Sequence, residues 1–219
     1  MATDGVNGAE ARLLEGALTV FSEKGYEGAS VREIIEEAGV TRPVLYYYFK
    51  NKEDLFRQLV RKYLAEMVKE MDTVLERVEG CRACLETLIC TAFERAEQNL
   101  DVVRLLVHVI FFPPGQGPDM TNEPLLEERF VRLVRVMQDG LDSGELAGGD
   151  PEALALAFNA FMDFHAMAKS RFPAITLTAD LGKALVDLFM YGASSGTVER
   201  LPLLKPYEDD LHSQFHGAE

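Results

Sequence analysis

Residues 39–55, GVTRPVLYYYFKNKEDL, contain three consecutive tyrosines flanked by basic side chains. Each tyrosine hydroxyl needs a hydrogen-bond partner once it leaves water, so a buried core does not favour three of them in a row. Phenol hydroxyls can instead donate to phosphate oxygens, while their rings cover sugar and thymine methyl groups. The neighbouring Arg42 can bind guanine, and Lys50 and Lys52 can reach a phosphate backbone. The segment therefore has the chemistry of a DNA-binding surface.

The charge of this segment differs from that of the whole chain. The 219 residues carry a formal net charge of −14, from 36 acidic and 22 Lys and Arg side chains, which by itself argues against a nucleic acid as partner. Between residues 42 and 62, however, six basic and two acidic side chains leave a local charge of +4 (6 − 2). Because salt screens charges beyond about 10 Å, a phosphate chain responds to this local surface rather than to the total charge.

Other chemistries find little support in the sequence. The four histidines, at positions 108, 165, 212 and 216, form no H-x-x-x-H pair, and no glycine-rich phosphate loop occurs. Cys81 and Cys84 form a C-x-x-C pattern, but no second pair and no nearby histidine completes a zinc site. Small, reduced, buried or half-buried thiols are the favoured interpretation. We therefore predict a protein that is not an enzyme and that needs no cofactor or metal.

The sequence predicts no membrane segment. No run of 18 or more apolar residues occurs. The N-terminal MATDGVNGAEAR has neither the basic nor the apolar region of a signal peptide. We therefore expect a cytoplasmic location.

Apolar residues recur with a period near 3.6 in every long segment, which predicts an all-α fold. Ser30 and Glu33 have the spacing of a capping box at the start of the second helix, and Gly39 ends that helix. The loop FFPPGQGPDMTN is the clearest break, because its prolines and glycines cannot sustain a helix. The first predicted helix ends near residue 25. The other predicted helices cover about residues 31–38, 41–49, 52–79, 81–99, 101–112, 122–144, 150–172 and 178–192.

The second helix, the turn at Gly39 and the third helix, braced by the first, form a predicted helix-turn-helix. Leu45 and Phe49 are four residues apart and face the core, so the remaining side chains of the third helix point outward. Arg42 projects from the end of this helix that reads base edges in such motifs. Ser30 and Arg32 stand at the front of the second helix, which favours a phosphate.

GVTRPVLYYYFKNKEDL closely resembles the signature of the TetR family of bacterial transcriptional repressors, roughly Gly-Val-Ser-x-x-x-Leu-Tyr-x-His-Phe-x-x-Lys-x-x-Leu. The resemblance extends back through VREIIEEAGV to FSEKGYEGAS, over about residues 10–60. The remainder agrees in length and helical pattern only. The resemblance implies a helix-turn-helix DNA-binding domain at residues 1–52, joined to a larger helical effector-binding and dimerisation domain at residues 53–219.

The resemblance also implies which side chains face DNA. Tyr48 stands where many members have histidine, and Pro43 replaces a frequent glycine, which we expect to alter base preference without abolishing binding. Packing between helices is an equally good explanation of Tyr46 and Tyr48, and solvated surface charge explains Lys50 and Arg57 as well as a phosphate contact does. The predicted DNA-binding residues are Ser30, Arg32, Thr41, Arg42, Pro43, Val44, Tyr46, Tyr47, Tyr48 and Lys52.

Residues 150–172 are apolar nearly all round, so both sides of this helix must be buried. One side can pack within the chain and the other against a second subunit, with the helix near 178–192 as companion. TetR-like repressors dimerise through such a four-helix interface. A symmetric dimer predicts a palindromic operator with half-sites about one helical turn, or a multiple, apart. The predicted interface residues are Leu154, Phe158, Leu181, Leu185 and Leu188.

In the family, a small molecule enters a pocket among the middle helices and spreads the two DNA-binding heads. Such a ligand acts only by binding the spread state better than the DNA-fitting one. The abundance of aromatic residues and methionine suggests a mainly apolar effector. Asn159 and Asp163 need hydrogen bonds if buried, and the sequence leaves open whether they bridge subunits or contact a polar effector. The predicted pocket residues are Phe93, His108, Phe111, Phe112, Phe161, Phe164 and His165.

Together with these patterns, the resemblance implies a ligand-responsive, homodimeric DNA-binding repressor that a small, mainly apolar effector releases from a palindromic operator. The alternative is a degenerate helical member of the family that binds a protein and no DNA. The intact Arg42, Tyr47 and Lys52 weigh against that alternative.

Overall fold

A computed structural model describes residues 4–111 and 117–192 of the chain. Within these residues the secondary structure is helical, with no β-strand, which confirms the all-α prediction. The predicted helix-turn-helix is present at the N-terminal side, followed by a larger helical part. The helices are α1 (Asp4–Gly28), α2 (Val31–Glu37), α3 (Arg42–Tyr48), α4 (Lys52–Arg77), α5 (Cys81–Gln98), α6 (Leu100–Phe111), α7 (Pro124–Ser143), α8 (Pro151–Arg171) and α9 (Ala179–Tyr191).

The described chain folds as two compact units that do not follow the linear sequence. The first unit combines the described residues of Met1–Glu70 with those of Leu100–Arg129, and the second combines Met71–Asn99 with the described residues from Phe130 onward. These are units of packing. The functional division at residues 52 and 53 stays a prediction.

The first unit has a continuous apolar core, to which α1, α2, α3, α4 and α6 contribute. Leu13, Ile34, Leu45, Leu55 and Leu59 are fully buried there. Because these residues lie on one face of each helix, the periodicity of the sequence accounts for the core. Burying a leucine or isoleucine side chain contributes about 1.5–3 kcal/mol.

The turn between α2 and α3 is built from local capping contacts. The predicted capping box is confirmed: the Glu33 backbone N–H donates to Ser30 Oγ at 3.2 Å, and the Ser30 N–H donates to Glu33 Oε2 at 2.9 Å. Gly39 has φ 60°, a conformation that costs glycine little. The Val40 N–H then donates to the Ile35 carbonyl at 3.0 Å, which ends α2 and turns the chain into α3.

In the second unit, α5 packs against α8 and α9. Lys169 is buried, and its ammonium donates to Glu97 Oε2 at 2.8 Å and to the carbonyls of Pro173 and Ile175 at 3.1 and 2.7 Å. Glu97 Oε1 also accepts the Leu177 N–H at 2.6 Å. Because every proton of the ammonium has an acceptor, this buried charge ties the segment after α8 to α5.

None of the helices in the described residues is long and apolar enough to cross a lipid bilayer.

Candidate nucleic-acid interface

The outer face of α3 exposes two of the three tyrosines. Leu45 and Phe49 are buried, as the sequence predicts, and fix the inner face of the helix. Tyr47 is 75% exposed and Tyr46 is 48% exposed. The two adjacent rings are therefore open to contact from outside the chain, and their role toward DNA stays a prediction.

The N-terminal end of α3 carries polar groups with free hydrogen-bonding capacity. Thr41 is the N-cap, in an extended backbone conformation, but its side chain makes no capping hydrogen bond. Arg42 is exposed, and its guanidinium has no hydrogen-bond or ion-pair partner within the part of the chain that the structure describes. Pro43 follows within the first turn, where a missing N–H costs no helical hydrogen bond. The hydroxyl and the guanidinium are therefore available to an external acceptor.

Val44 and Tyr48 lie at the edge of this surface rather than on its face. Both are half-buried and pack against the core of the first unit. The Tyr48 ring meets that of Tyr47 edge-on, with 4.9 Å between centroids. Burial and, to a smaller extent, Tyr47 and Glu10 raise the pKa of the Tyr48 hydroxyl. Packing thus uses part of the Tyr48 ring, and its role toward DNA stays a prediction.

Ser30 and Arg32 both make local contacts at the start of α2. The Ser30 hydroxyl is 2.6 Å from Glu33 Oε2, to which it donates, so its proton is already used. Arg32 Nε donates to Glu36 Oε1 at 2.7 Å, one turn along the same exposed face. The other guanidinium nitrogens of Arg32 remain on the surface. Arg32 therefore keeps more capacity for a phosphate than Ser30 does.

Several cations of the basic segment 42–62 have partners inside the first unit. Lys52 donates to the carbonyls of Tyr26 and Ala29. Arg57 bonds Glu53 and the Asp119 carbonyl, and Arg61 bonds the buried Glu123 carboxylate at 2.9 Å. The sequence predicts Lys52 as a DNA contact and leaves Arg57 open between solvated charge and a phosphate contact. The contacts of Arg57 and Arg61 with residues 119 and 123, which are distant in sequence, arise because this segment lies beside α4.

The predicted effector residues are divided between the two units. In the second unit Phe93 and His165 are buried with 5.6 Å between ring centroids, and the exposed Phe164 ring lies 6.0 Å from the His165 ring. Phe161 is half-buried, and its carbonyl bonds His165 Nδ1. Burial lowers the pKa of His165 and so favours the neutral ring, and the hydrogen bond with Phe161 offsets part of this effect.

The other predicted effector residues lie elsewhere. His108 is half-buried and Phe111 is exposed in the first unit, whereas Phe112 lies outside the described residues. Asn159 and Asp163 satisfy each other, since Asn159 Nδ2 donates to Asp163 Oδ2 at 2.6 Å. Asn159 and Asp163 are therefore partners of each other within α8.

The second unit also has an open cleft of about 700 Å³, and none of the predicted effector residues that the structure describes lines it. Its apolar wall includes Leu75, Val78 and Val136. The ion pair of Arg132 with Asp72, in which Nε and Nη2 bond the two carboxylate oxygens at 2.6 and 3.0 Å, lies in the lining. The volume of this cleft is typical of a small-molecule site.

The predicted dimer residues lie on the inner side of their helices. Phe158, Leu181 and Leu185 are 0–3% exposed, and Leu154 and Leu188 are half-buried. The first three therefore form the core of the second unit and offer no surface to a partner. The outer face of α8 carries other apolar residues, which the sequence did not single out as interface residues: Ala153, Leu156, Ala157, Ala160 and Phe164. Of these, Leu156 is 63% exposed and Phe164 is 54% exposed.

The three cysteines are unpaired, and Cys81 and Cys84 are buried. Burial, reinforced by the Glu145 carboxylate, raises the pKa of Cys81 to about 11, which keeps it a thiol at neutral pH. Glu145 lies at this end of α5 because it accepts the Cys81 and Arg82 N–H groups at 2.8 and 3.0 Å. No group of three or more His, Cys, Asp or Glu suited to a metal ion occurs in the described ranges.

The comparisons with known proteins agree in one family. A profile described as "Bacterial regulatory proteins, tetR family" matches residues 13–59. The HTH-type transcriptional regulators YezE and YfiR of Bacillus subtilis are 30% and 29% identical to this chain. The YezE match covers 67% of this chain and 77% of YezE, and the YfiR match covers 68% and 73%. The structure of FadR from Bacillus subtilis in complex with stearoyl-CoA superposes with a TM-score of 0.74 over 83% of this chain and 98% of FadR, at 19% identity, and so shares the fold.

Proposed function

This chain belongs to the TetR family of bacterial regulatory proteins, and on that premise we propose that it is a ligand-responsive repressor that reads DNA with α3. The observation that supports the proposal most is the outward presentation of Arg42, Tyr46 and Tyr47 on a short helix whose opposite face is buried. We call α3 the recognition helix below. A DNA-binding repressor acts where the bacterial chromosome lies, so we expect a cytoplasmic location.

Each exposed side chain of the recognition helix has a proposed role. Arg42 has the reach and the paired donors to bind guanine O6 and N7 in the major groove. Thr41, Tyr46 and Tyr47 supply hydroxyl groups for phosphates, and Arg32 of α2 supplies guanidinium N–H groups. Pro43 and Val44 supply apolar contact for sugar or a thymine methyl group.

We further propose that two copies of the chain associate through the outer face of α8. Homodimers are typical of the family. Leu156 and Phe164, with the alanines between them, form an apolar stripe on a helix whose other face is already used by the core. A symmetric pair places two recognition helices on successive major grooves, so the operator is expected to be a palindrome.

The proposed effector is a small, mainly apolar molecule that binds in the helical part after α4. The aromatic cluster of Phe93, Phe161, Phe164 and His165 supports this class of ligand. FadR, which shares the fold, was solved with stearoyl-CoA, so long-chain acyl thioesters are the first compounds to test. Stabilisation of the purified protein against heat by small polar metabolites alone would contradict an apolar effector.

A module that binds a protein and no DNA is the second candidate. Its support is the acidic net charge of −14, which opposes non-specific DNA binding. Residues 42–62 carry +4 by the count above, so the rest of the chain carries −18 (−14 − 4). The acidic remainder instead helps a DNA-binding protein to leave non-specific sites.

Selection of bound fragments from random duplex DNA tests the proposed function. We expect the wild-type protein to enrich one palindrome in a salt-sensitive manner. Arg42→Ala should lose about 1–3 kcal/mol of binding to that palindrome and relax the preference at one position in each half-site. Arg135→Ala, an exposed arginine of α7, is the control and should leave both unchanged. Failure to enrich any sequence would favour the protein-binding module.

A further inference from the structure

We propose that Lys52 positions the recognition helix and does not serve as a contact to the DNA phosphates. The inference rests on the proposed DNA-binding function and explains how the recognition helix keeps its position in the first unit. Lys52 matches a position that faces DNA in the family signature, so its contacts here need a separate explanation.

The ammonium group of Lys52 is held by neighbours within the first unit. It donates to the Tyr26 carbonyl at 2.8 Å and to the Ala29 carbonyl at 3.0 Å. It also lies 4.2 Å from the centroid of the Tyr26 ring, where the ring face attracts a cation. The side chain as a whole is half-buried. Two of the three N–H donors are therefore used, and the charge is directed into the protein.

The two carbonyls are available because α1 is interrupted just before them. Gly25 has φ 68° and ψ 176°, which breaks the helical hydrogen bonding at this point. Carbonyl groups at the end of a helix lack N–H partners within it and carry partial negative charge, so a cation is favourable there. Both hydrogen bonds are partly buried, and removal of the ammonium would leave their acceptors without this donor.

Lys52 transmits this attachment to the recognition helix through a short, rigid turn. It is the first residue of α4, four positions after Tyr48 at the end of α3. In the turn, the Lys50 N–H donates to Asp54 Oδ2 at 2.9 Å, and the Asp54 N–H donates to Asn51 Oδ1 at 2.8 Å. The ammonium therefore fastens the C-terminal end of the recognition helix to the junction between α1 and α2.

A phosphate contact and a positioning contact have different signatures in DNA binding. A lysine that neutralises a phosphate releases a counterion, so its loss lowers the slope of log K against log salt concentration by about 0.9. Its loss also weakens specific and non-specific binding alike. A positioning lysine leaves that slope unchanged and weakens specific binding selectively, because non-specific binding needs charge but no register with the bases.

Lys52→Met removes the ammonium and keeps an unbranched apolar stem. We expect it to bind the selected operator about tenfold or more weakly, with the wild-type salt slope and with non-specific binding changed by less than about twofold. Lys50→Met is the matched control on the exposed neighbouring lysine, whose loss should leave the ratio of specific to non-specific affinity unchanged. Fluorescence anisotropy with the full-length protein, below the melting temperature of every variant, measures both affinities.

Two results for Lys52→Met would overturn the positioning role of Lys52. One is a salt slope lowered by about 0.9 with equal losses of affinity for operator and non-specific DNA. The other is wild-type affinity for both DNAs. Absence of DNA binding by the wild-type protein would overturn the proposed function instead, so the two failures are distinguishable.

Nuclear magnetic resonance of the wild-type ammonium groups gives a second readout that does not depend on the folding of Lys52→Met. In protein labelled with nitrogen-15 lysine, we expect the Lys52 Nζ signal to be visible without DNA, because hydrogen-bonded protons exchange slowly with water, and to stay in place when DNA is added. The exposed Lys50 should show no such signal in the free protein. A Lys52 signal that appears only with DNA assigns the ammonium to a phosphate and overturns the proposal.

Discussion

Glu33 connects three donors at the start of α2. It accepts hydrogen bonds from the Ser30 N–H and hydroxyl and from Lys24 Nζ, the last at 2.6 Å. The hydrogen bonds from Lys24 and Ser30 lower the pKa of Glu33 from 4.5 to about 2. Because the folded pKa lies below the unfolded one, the ionised carboxylate stabilises the protein above about pH 4.5, and this contribution is lost as the pH falls through about 2.

Glu33→Gln should therefore destabilise the protein near neutral pH but not in strong acid. We expect its midpoint of urea unfolding to lie below that of the wild type at neutral pH and to converge with it as the pH falls below about 4.5. Glu37→Gln, at an exposed position of the same segment, serves as control and should show a small difference throughout. A Glu33→Gln difference that is constant over this pH range would contradict the linkage.

The residue scale also shows where sequence reasoning stops. Ser30 and Glu33 are three positions apart, so their capping box is readable from the sequence. Lys52 lies 26 and 23 positions from the carbonyls that it binds. No local pattern marks that contact, because it depends on the break at Gly25 and on how α4 packs beside the end of α1.

Gly16 allows α1 and α2 to approach closely. A Cβ atom at this position would lie 2.9 Å from the Ala38 backbone nitrogen and 3.1 Å from the Ala38 Cβ. These distances are shorter than ordinary van der Waals contact, and a backbone atom cannot move aside as a flexible side chain can. The spacing of α1 and α2, and with it the position of the helix-turn-helix, therefore requires glycine here.

Gly16→Ala should destabilise the protein by about 1–3 kcal/mol through overpacking, despite the better helix propensity of alanine. Gly8→Ala in the same helix is the matched control, because an added Cβ there meets only Arg12 Nη1 at 3.9 Å. We expect that variant to be neutral or slightly more stable. Urea unfolding measures both, and equal effects of the two substitutions would contradict the close-packing explanation.

The helix α8 shows how an element can be recognised while its orientation is not. Its apolar residues run nearly all round, so the sequence predicts two buried sides but cannot say which residues face the core. The packing of α5 against α8 selects the side of Phe158, Met162 and His165. The side of Leu156 and Phe164 is left for a second chain in our proposal.

At the scale of the whole molecule, the two faces of α8 predict different consequences of substitution. Leu156→Glu should shift the proposed dimer to monomer and weaken operator binding, with little change in the stability of the single chain. Phe158→Ala should instead lower stability by about 3–5 kcal/mol, because it leaves a cavity in the core of the second unit.

Light scattering after gel filtration measures the first effect and urea unfolding the second. A Leu156→Glu variant that remains a dimer would contradict the proposed interface, whatever its stability.

The two compact units add a further point about the molecule as a whole. Residues 100–129 belong to the same unit as the helix-turn-helix, although about 50 residues of sequence separate them from it. Arg57 and Arg61 of α4 bond residues 119 and 123 of this segment. Composition and periodicity cannot predict such an arrangement, because it results from contacts between helices that are far apart in the chain.

The sequence by itself determined the nine described helices, the turn between α2 and α3 and the recognition helix with its inner and outer faces. These features depend on the 3.6-residue period and on caps between residues within a few positions of each other, so short segments of the sequence are enough to predict them. Only the tertiary structure decided which face of α8 stays exposed, which cations of residues 42–62 remain available and where the Lys52 ammonium binds. Those outcomes depend on the packing of helices against one another, which brings together atoms that no local spacing relates.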